Sequence, residues 1–333
     1  MTPDFSEGRW RLARWVYMLS GGRISKSGQL YRANIPRQRS MLEALPGMTS
    51  LTERAYFVWH TAEIFTGRGA IVDLGSWFGS TTATLAMGLA ENRRPSAEGA
   101  VIDAFDRFVW ESWMDAYGEM AHLGPYEAGA SFLSEFERVV QPWRNRIRLH
   151  VGDIRQQSWG GGPIELLLVD AMKSWEVTRH VVTDFFPSLL PQAGYVIHQD
   201  FGNCWTPWIH LVSFRLRDWL VPVNDISGSE CVVFRLTRPF EESVDQFHWN
   251  REAFGEEEVE EAFAHSLSIT RPEKHSAVHG ARAVLLVYDG KLAEASELLS
   301  NQERRGILNP HDAEQVRGAI RLAQSGELGV PSA

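Results

Sequence analysis

Asp73-Leu-Gly-Ser-Trp-Phe-Gly79 sets a carboxylate, two glycines and a hydroxyl inside one short stretch, behind the apolar run Ala70 to Val72. A glycine turn between a strand and a helix lets a ligand come close to the main chain, where a Cβ would collide. Gly75 and Gly79 are the candidates for that approach. Ser76 and Trp77 lie in the turn, and Ser80, Thr81 and Thr82 follow it as helix-capping types, leaving N–H groups to face the ligand. The G-x-G-x-x-G spacing is missing, which argues against a dinucleotide-dependent dehydrogenase. Further carboxylates close apolar runs downstream: Asp103 with its rival Asp106, then Asp153, Asp170 and Asp200. Ligands of open α/β sheets sit at the carboxyl edge of the strands, so recurrence there marks a site. Asp170-Ala-Met-Lys173 adds an ammonium three residues from a carboxylate. The chain has only four lysines (Lys26, Lys173, Lys274 and Lys291), so chance is a poor account of that offset.

The elements that must carry these residues follow from the apolar runs. Ala70 to Val72, Ala100 to Asp106, Ile147 to Ile154, Ile164 to Asp170 and Gly194 to Asp200 read as successive strands, each about one βα unit from the next. That is the pattern of a doubly wound, Rossmann-like α/β sheet. Val221 to Ile226, the turn Ser227-Gly-Ser229, and Cys231 to Leu236 read as a hairpin. Thr52 to Phe65 reads as a helix leading into the first strand, with Tyr56, Phe57, Trp59, His60 and Ile64 on its buried face.

Three regions result. Residues 1–66 read as mainly helical, with a basic, turn-rich patch at Tyr31 to Arg39, and suit a substrate lid or an oligomerisation region. Residues 67–238 form the α/β domain. Residues 239–333 read as helical and acidic, through Glu256 to Phe263, His279 to Leu286, Lys291 to Leu299 and Pro310 to Gln324. Ala281 to Leu299 resembles one helical-hairpin repeat without a second copy. The tail reads as a packing or dimerisation appendage, or as a lid or partner-docking module.

A chain of 333 residues with a net charge of −9 lacks the basic face a nucleic-acid partner calls for. Cys204 and Cys231 have neither metal-site spacing nor a disulfide framework, which points to a reducing cytoplasm. Arg11 and Arg14 interrupt the first apolar stretch, so no signal peptide and no membrane span is expected, and the protein is read as soluble.

With these motifs quoted, the chain resembles the class I S-adenosylmethionine-dependent methyltransferases. Within them it is similar to the small-molecule O-methyltransferases of the catechol, caffeoyl-CoA and macrocin O-methyltransferase-like types. The resemblance runs over about residues 50–237 and rests on Asp73 to Gly79, Asp103-Ala-Phe105, Asp170 to Lys173 and Gln199-Asp200. Trp77 stands where the family has its middle glycine. The resemblance implies a seven-stranded sheet whose last strand is antiparallel, with helical N-terminal and C-terminal extensions. It also implies S-adenosyl-L-methionine as cofactor and transfer of a methyl group to a small-molecule hydroxyl, in secondary metabolism such as antibiotic biosynthesis.

Carried over residue by residue, Asp73, Gly75, Ser76, Trp77, Gly79, Ser80 and Thr81 would hold the methionine end of the cofactor. Asp103, followed by Ala104 and Phe105, would take the ribose hydroxyls, since an ionised carboxylate accepts two hydrogen bonds. Asp153 and Ile154 would lie near the adenine, with Asp170 bordering the cofactor. Asp170, Gln199 and Asp200 match the family's metal positions, with Gln199 where relatives carry Asp, for Mg²⁺ or another divalent cation. Lys173 would be the base, because a cation bound to the acceptor hydroxyl lowers its pKa and depresses the lysine's. His198 is the alternative base where no metal binds, although it and His180 read first as core residues.

Thirteen tryptophans are present. Trp110, Trp113, Trp175, Trp205 and Trp208 fall in loops after the second, fourth and fifth strands and suggest a flat phenolic or sugar-containing acceptor, with most of them in the core. Two other readings stay open: a methyltransferase without a metal, and a non-catalytic methyltransferase-fold binding or assembly protein. A homo-oligomer formed through the helical termini is compatible with each.

Overall fold

The protein is described by a computed structural model over residues 35–115, 126–240 and 247–328. Seven strands form one sheet: β1 Ala70–Leu74, β2 Ile102–Asp106, β3 Ile147–Val151, β4 Ile164–Val169, β5 Tyr195–His198, β6 Leu220–Asp225 and β7 Val232–Leu236. Their order is β3-β2-β1-β4-β5-β7-β6. β1 pairs with β2, and β2 with β3, in parallel. β6 and β7 are antiparallel, and Gly228 (φ +69°) turns the hairpin between them. This is the mixed seven-stranded sheet, closed by a hairpin, that the apolar runs and the resemblance lead one to expect. Strands buried on both faces need no polar alternation, and β4 is buried along its whole length.

Contacts divide the chain into two compact units: Met1–Leu168 with Ala193–Val196, and Val169–Gln192 with Ile197–Ala333. The first unit carries helices α1 Ile35–Glu43, α2 Leu51–Trp59, α3 Ser80–Glu91 and α4 Leu133–Val140. Ile35–Glu43 is therefore helical where the basic patch reads as turn-rich, and the rest of that patch lies outside the described residues. Helix α2 opens on a capping box. Ser50 Oγ accepts from the Glu53 N–H, and the Glu53 side chain accepts from the Ser50 N–H. A wider turn, His60–Ile64, extends α2, and Tyr56, Phe57, Trp59, His60 and Ile64 are all buried. Gly88 lets α3 lie against α2. A Cβ there would meet the Val58 carbonyl oxygen and Thr61 Oγ1 at 2.1 Å, so any side chain would force the helices apart.

The second unit carries α5 Trp175–His180, α6 Trp208–Arg215, α7 Glu256–Ile269, α8 Pro272–Tyr288, α9 Leu292–Arg304 and α10 Pro310–Ser325. The last four run longer than the sequence segments that flag them. Of these, α7 and α8 pack on α6, α10 packs on the loop after β5, and α9 packs on α8 and α10. His210 Nδ1 meets Ser266 Oγ at 3.0 Å, the Trp208 and Tyr288 rings stack with centroids 5.6 Å apart, and Trp205 Nε1 donates to Gln315 Oε1 at 2.7 Å. Both cysteines are buried, and no disulfide joins them. Among the described residues no helix is long and apolar enough to cross a membrane.

Candidate functional site

In the first unit the chemistry gathers where β1 and β2 end. Gly75 and Gly79 hold positive φ, at +88° and +85°, and Trp77 between them is left-handed at +44°. The Gly75 and Ser76 N–H groups donate to the Phe105 carbonyl at 2.9 and 3.2 Å, which ties the turn to the end of β2. At Gly79 the missing Cβ makes room for packing. An added Cβ would stand 3.0 Å from Phe136 and Val140 on α4.

Asp73 is fully buried. Its Oδ2 accepts from Thr81 Oγ1 at 2.9 Å and Thr82 Oγ1 at 2.6 Å, and its Oδ1 is buried without a partner. Burial raises its pKa to about 6, against the two threonine hydroxyls. Thr81 and Thr82 thus bond back to the strand instead of capping the helix, and Ser80 Oγ lies 2.9 Å from Thr49 Oγ1. Helix α3 starts at Gly79 with no side-chain cap. Its first N–H groups are therefore left for a ligand by a different route from the one the sequence suggests.

The ends of β2 and β3 correct the placement of the second carboxylate. Asp103 reads from the sequence as the end of its strand, but β2 continues to Asp106, and Asp103 pairs in register with Val72 inside the sheet. Its Oδ1 accepts from Arg148 Nη1 at 3.0 Å and contacts His150 Nε2 at 2.8 Å. That makes it a tie between β2 and β3. Asp106 holds the edge instead. One oxygen accepts from the Trp77 N–H at 2.8 Å and the other from the Phe108 N–H at 2.7 Å, so this side chain shapes the glycine turn. Burial raises the Asp106 pKa despite these bonds. Ala104 is in the core, and Phe105 stacks on His150 with centroids 4.0 Å apart. Asp153 precedes a short turn that begins at Ile154 and accepts three bonds from the Arg155 guanidinium within 3.1 Å, which lowers its pKa.

The second unit gathers Asp170, just past β4, Lys173, and Gln199 and Asp200, just past β5. Lys173 Nζ donates to Asp170 Oδ1 at 2.8 Å and also to Asp200 Oδ2. Asp200 Oδ1 accepts from Asn203 Nδ2 at 3.2 Å. Gln199 Oε1 is buried without a partner, while its N–H donates to the Val169 carbonyl at 3.0 Å. Burial works against the Lys173 ammonium, but Asp170 and then Asp200 outweigh it and hold its pKa above that of an ordinary lysine. Burial, countered by Lys173 and reinforced by Asp200, raises the pKa of Asp170. Ser174 caps α5 by accepting from the Val177 N–H, and Trp208 Nε1 donates to the Met172 carbonyl at 2.7 Å, so the segment between Asp170 and α5 is fixed.

As a divalent-metal donor set, Asp170, Gln199 and Asp200 offer the hard oxygens such an ion takes. Yet both carboxylates are engaged by the ammonium, and the described residues hold no group of three His, Cys, Asp or Glu side chains placed for a metal. The donor set as arranged does not fit a resident divalent ion.

His198 is fully buried among Phe186, Phe201 and Phe234, and burial lowers its pKa to about 4. Of the five tryptophans expected in loops, Trp175 and Trp208 instead begin α5 and α6; these two and Trp110 are buried, and Trp205 is half-buried. Trp113 is 52% exposed and stacks on Trp77 with centroids 6.4 Å apart. The sequence gives no sign of that stack, nor of the Asn203 support for Asp200; the nearest signal is the three-residue spacing of Asp200 and Asn203.

No protein-family model matches the chain, and no curated protein matches it in sequence. Among solved structures it is similar to the TDP-rhamnose 3'-O-methyltransferase CalS11 of calicheamicin biosynthesis, at 16% identity over 71% of this chain and 95% of that one, with a TM-score of 0.41. It is also similar to the mitomycin 7-O-methyltransferase MmcR, at 11% identity over 69% of this chain and 68% of that one, with a TM-score of 0.32. A third is LaPhzM, at 12% identity over 71% of each chain, with a TM-score of 0.33. Likenesses this distant add nothing to the strand order already described.

Proposed function

We propose that this chain is an S-adenosylmethionine-dependent O-methyltransferase acting on a hydroxyl of a small phenolic or sugar-containing molecule. The observation that carries the reading is the glycine turn after β1, in a sheet of order β3-β2-β1-β4-β5-β7-β6, with carboxylates at successive strand ends. When bound, the cofactor supplies an electrophilic methyl group on a sulfonium. Two features of the turn suit its methionine end: the uncapped N-terminus of α3 for a carboxylate, and the unpartnered Asp73 Oδ1 for an ammonium. Gly75, Ser76, Trp77, Ser80 and Thr81 would line that part. Asp106 takes the ribose in place of Asp103, on the strength of its position at the end of β2. Ala104, Phe105, Asp153 and Ile154 would border the adenine.

On the acceptor side the chain's own groups are Asp170, Lys173 and Asp200. A metal-assisted form, with Asp170, Gln199 and Asp200 around a divalent ion and Lys173 as base, would have to displace the ammonium from both carboxylates. A lysine so held donates hydrogen bonds and does not collect a proton, which favours the form without a metal. In that form Lys173 orients the acceptor oxygen, since only two of its three N–H donors are used in the bonds described.

Methyl-labelled S-adenosylmethionine, offered with panels of phenols and sugars in the presence of EDTA, tests the proposal. Label should appear on an acceptor oxygen. A chain that binds the cofactor but labels no phenol or sugar, with or without Mg²⁺, overturns the proposed acceptor class. A folded chain that binds no cofactor belongs to the non-catalytic binding or assembly reading.

A further inference from the structure

Asp170 and Asp200 lie in the one part of the second unit that sequence reasoning assigns to a divalent ion, and the cation found there is the chain's own. We infer that Lys173 is the resident counter-ion of this site, a tethered ammonium that occupies the carboxylate oxygens a divalent metal would need. The inference rests on the side-chain geometry of the second unit and holds whether or not the cofactor reading is right.

Three observations converge on it. Lys173 Nζ bonds to both carboxylates, to Asp170 at 2.8 Å, so neither offers its full set of lone pairs to another cation. The remaining donor is an amide: Gln199 stands where a third charge would strengthen a metal site, and its Oε1 is buried and unpartnered. The lysine is also held in place by its chain neighbours. Met172 is fully buried, its carbonyl is taken by Trp208 Nε1, and Ser174 caps the following helix. The Lys173 main chain is therefore pinned on both sides while its side chain, 53% exposed, reaches back to the carboxylates. Charge counting gives the same result. Two carboxylates and one ammonium leave a net of one negative charge, whereas a divalent ion added beside the ammonium would leave a net positive charge among close neighbours.

The ammonium and a divalent ion thus compete for the same oxygens. Removing the ammonium should create a metal site in a protein that otherwise binds metal weakly. Keeping a positive charge at the position should prevent it.

The test is titration of the full chain with Mn²⁺, read by loss of the free-ion signal in electron paramagnetic resonance. Wild-type protein and Lys173→Arg are expected to bind Mn²⁺ only weakly, in the millimolar range. Lys173→Met is expected to bind at least about tenfold more tightly, from the unit charge it no longer places beside the ion. Adding Asp170→Asn to Lys173→Met should abolish the gain and separate it from weak binding elsewhere on an acidic protein. Two results would overturn the inference: micromolar Mn²⁺ binding by the wild-type chain, which needs no variant to fold, or equal affinity in wild type and a folded Lys173→Met.

Discussion

The two units hold carboxylates at strand ends in opposite ways. In the first, Asp73 and Asp106 are held by neutral donors: two threonine hydroxyls for the one, and the main-chain N–H groups of Trp77 and Phe108 for the other. In the second, Asp170 and Asp200 share an ammonium. The same residue type at the same kind of edge therefore does different work. Neutral donors fix where a carboxylate sits without cancelling its charge, so Asp73 and Asp106 shape a loop. A shared ammonium offsets charge, so Asp170 and Asp200 form a site whose electrostatics depend on one lysine. A motif of strand-end carboxylates does not by itself tell these two uses apart.

The largest expected effect breaks the first arrangement at its centre. Asp106→Ala leaves the Trp77 and Phe108 N–H groups without their acceptor, which should destabilise the fold by about 2–4 kcal/mol. It should also weaken S-adenosylhomocysteine binding by about a hundredfold or more, because the turn loses its template. Urea unfolding and calorimetry measure the two. Asp103→Ala makes the contrasting case: stability should fall as the ties to Arg148 and His150 are lost, with cofactor affinity changed much less.

Next come the pH dependences, which have opposite signs in the two residues compared. Asp73 has its folded pKa raised from 3.8 to about 6. Its share of stability is full below about pH 4 and is lost as pH rises through 6, about 3 kcal/mol in all. Asp73→Asn should remove that decline. His198, in the second unit, has its folded pKa lowered from 6.5 to about 4. Its share is present above pH 6.5 and is lost as pH falls through 4, so His198→Phe should flatten the acid side by a similar amount. Denaturant midpoints measured from pH 4 to 8 separate the two.

How much of this was legible in the sequence depends on what the surroundings decide. The five parallel-type strands and the closing hairpin were legible because apolar runs bounded by Gly and Asp carry a strand's period and its end. The end of β2 was not. Asp103 and Asp106 both fit an apolar run, and only the pairing of Asp106 with Val151 shows that the strand runs on to Asp106. Ser80, Thr81 and Thr82 are capping types, but the buried Asp73 draws two of the hydroxyls back to the strand. Gly79 reads as room for a ligand, and the sequence does not reveal that α4 also packs there. The Asp170–Lys173 offset was visible, but its meaning was not. A lysine beside one carboxylate and a metal suggests a base, and a lysine between two carboxylates is a counter-ion.

The smallest effect sharpens the comparison. Asp153, in the first unit, is a carboxylate past a strand end held by a cation at the surface, with the Arg155 side chain 45% exposed. Arg155→Ala should change stability by less than about 1 kcal/mol, since surface pairs are screened by water and salt. A larger loss in thermal unfolding would mean that water and salt do not screen this pair.

The most direct measurement of the central claim is calorimetric titration of the purified chain with S-adenosylhomocysteine, alongside Asp106→Ala. The wild-type chain should bind in the micromolar range, unaffected by EDTA, and Asp106→Ala should lose that binding. No binding by a folded wild-type chain at millimolar ligand would contradict the assignment of the glycine turn to this cofactor.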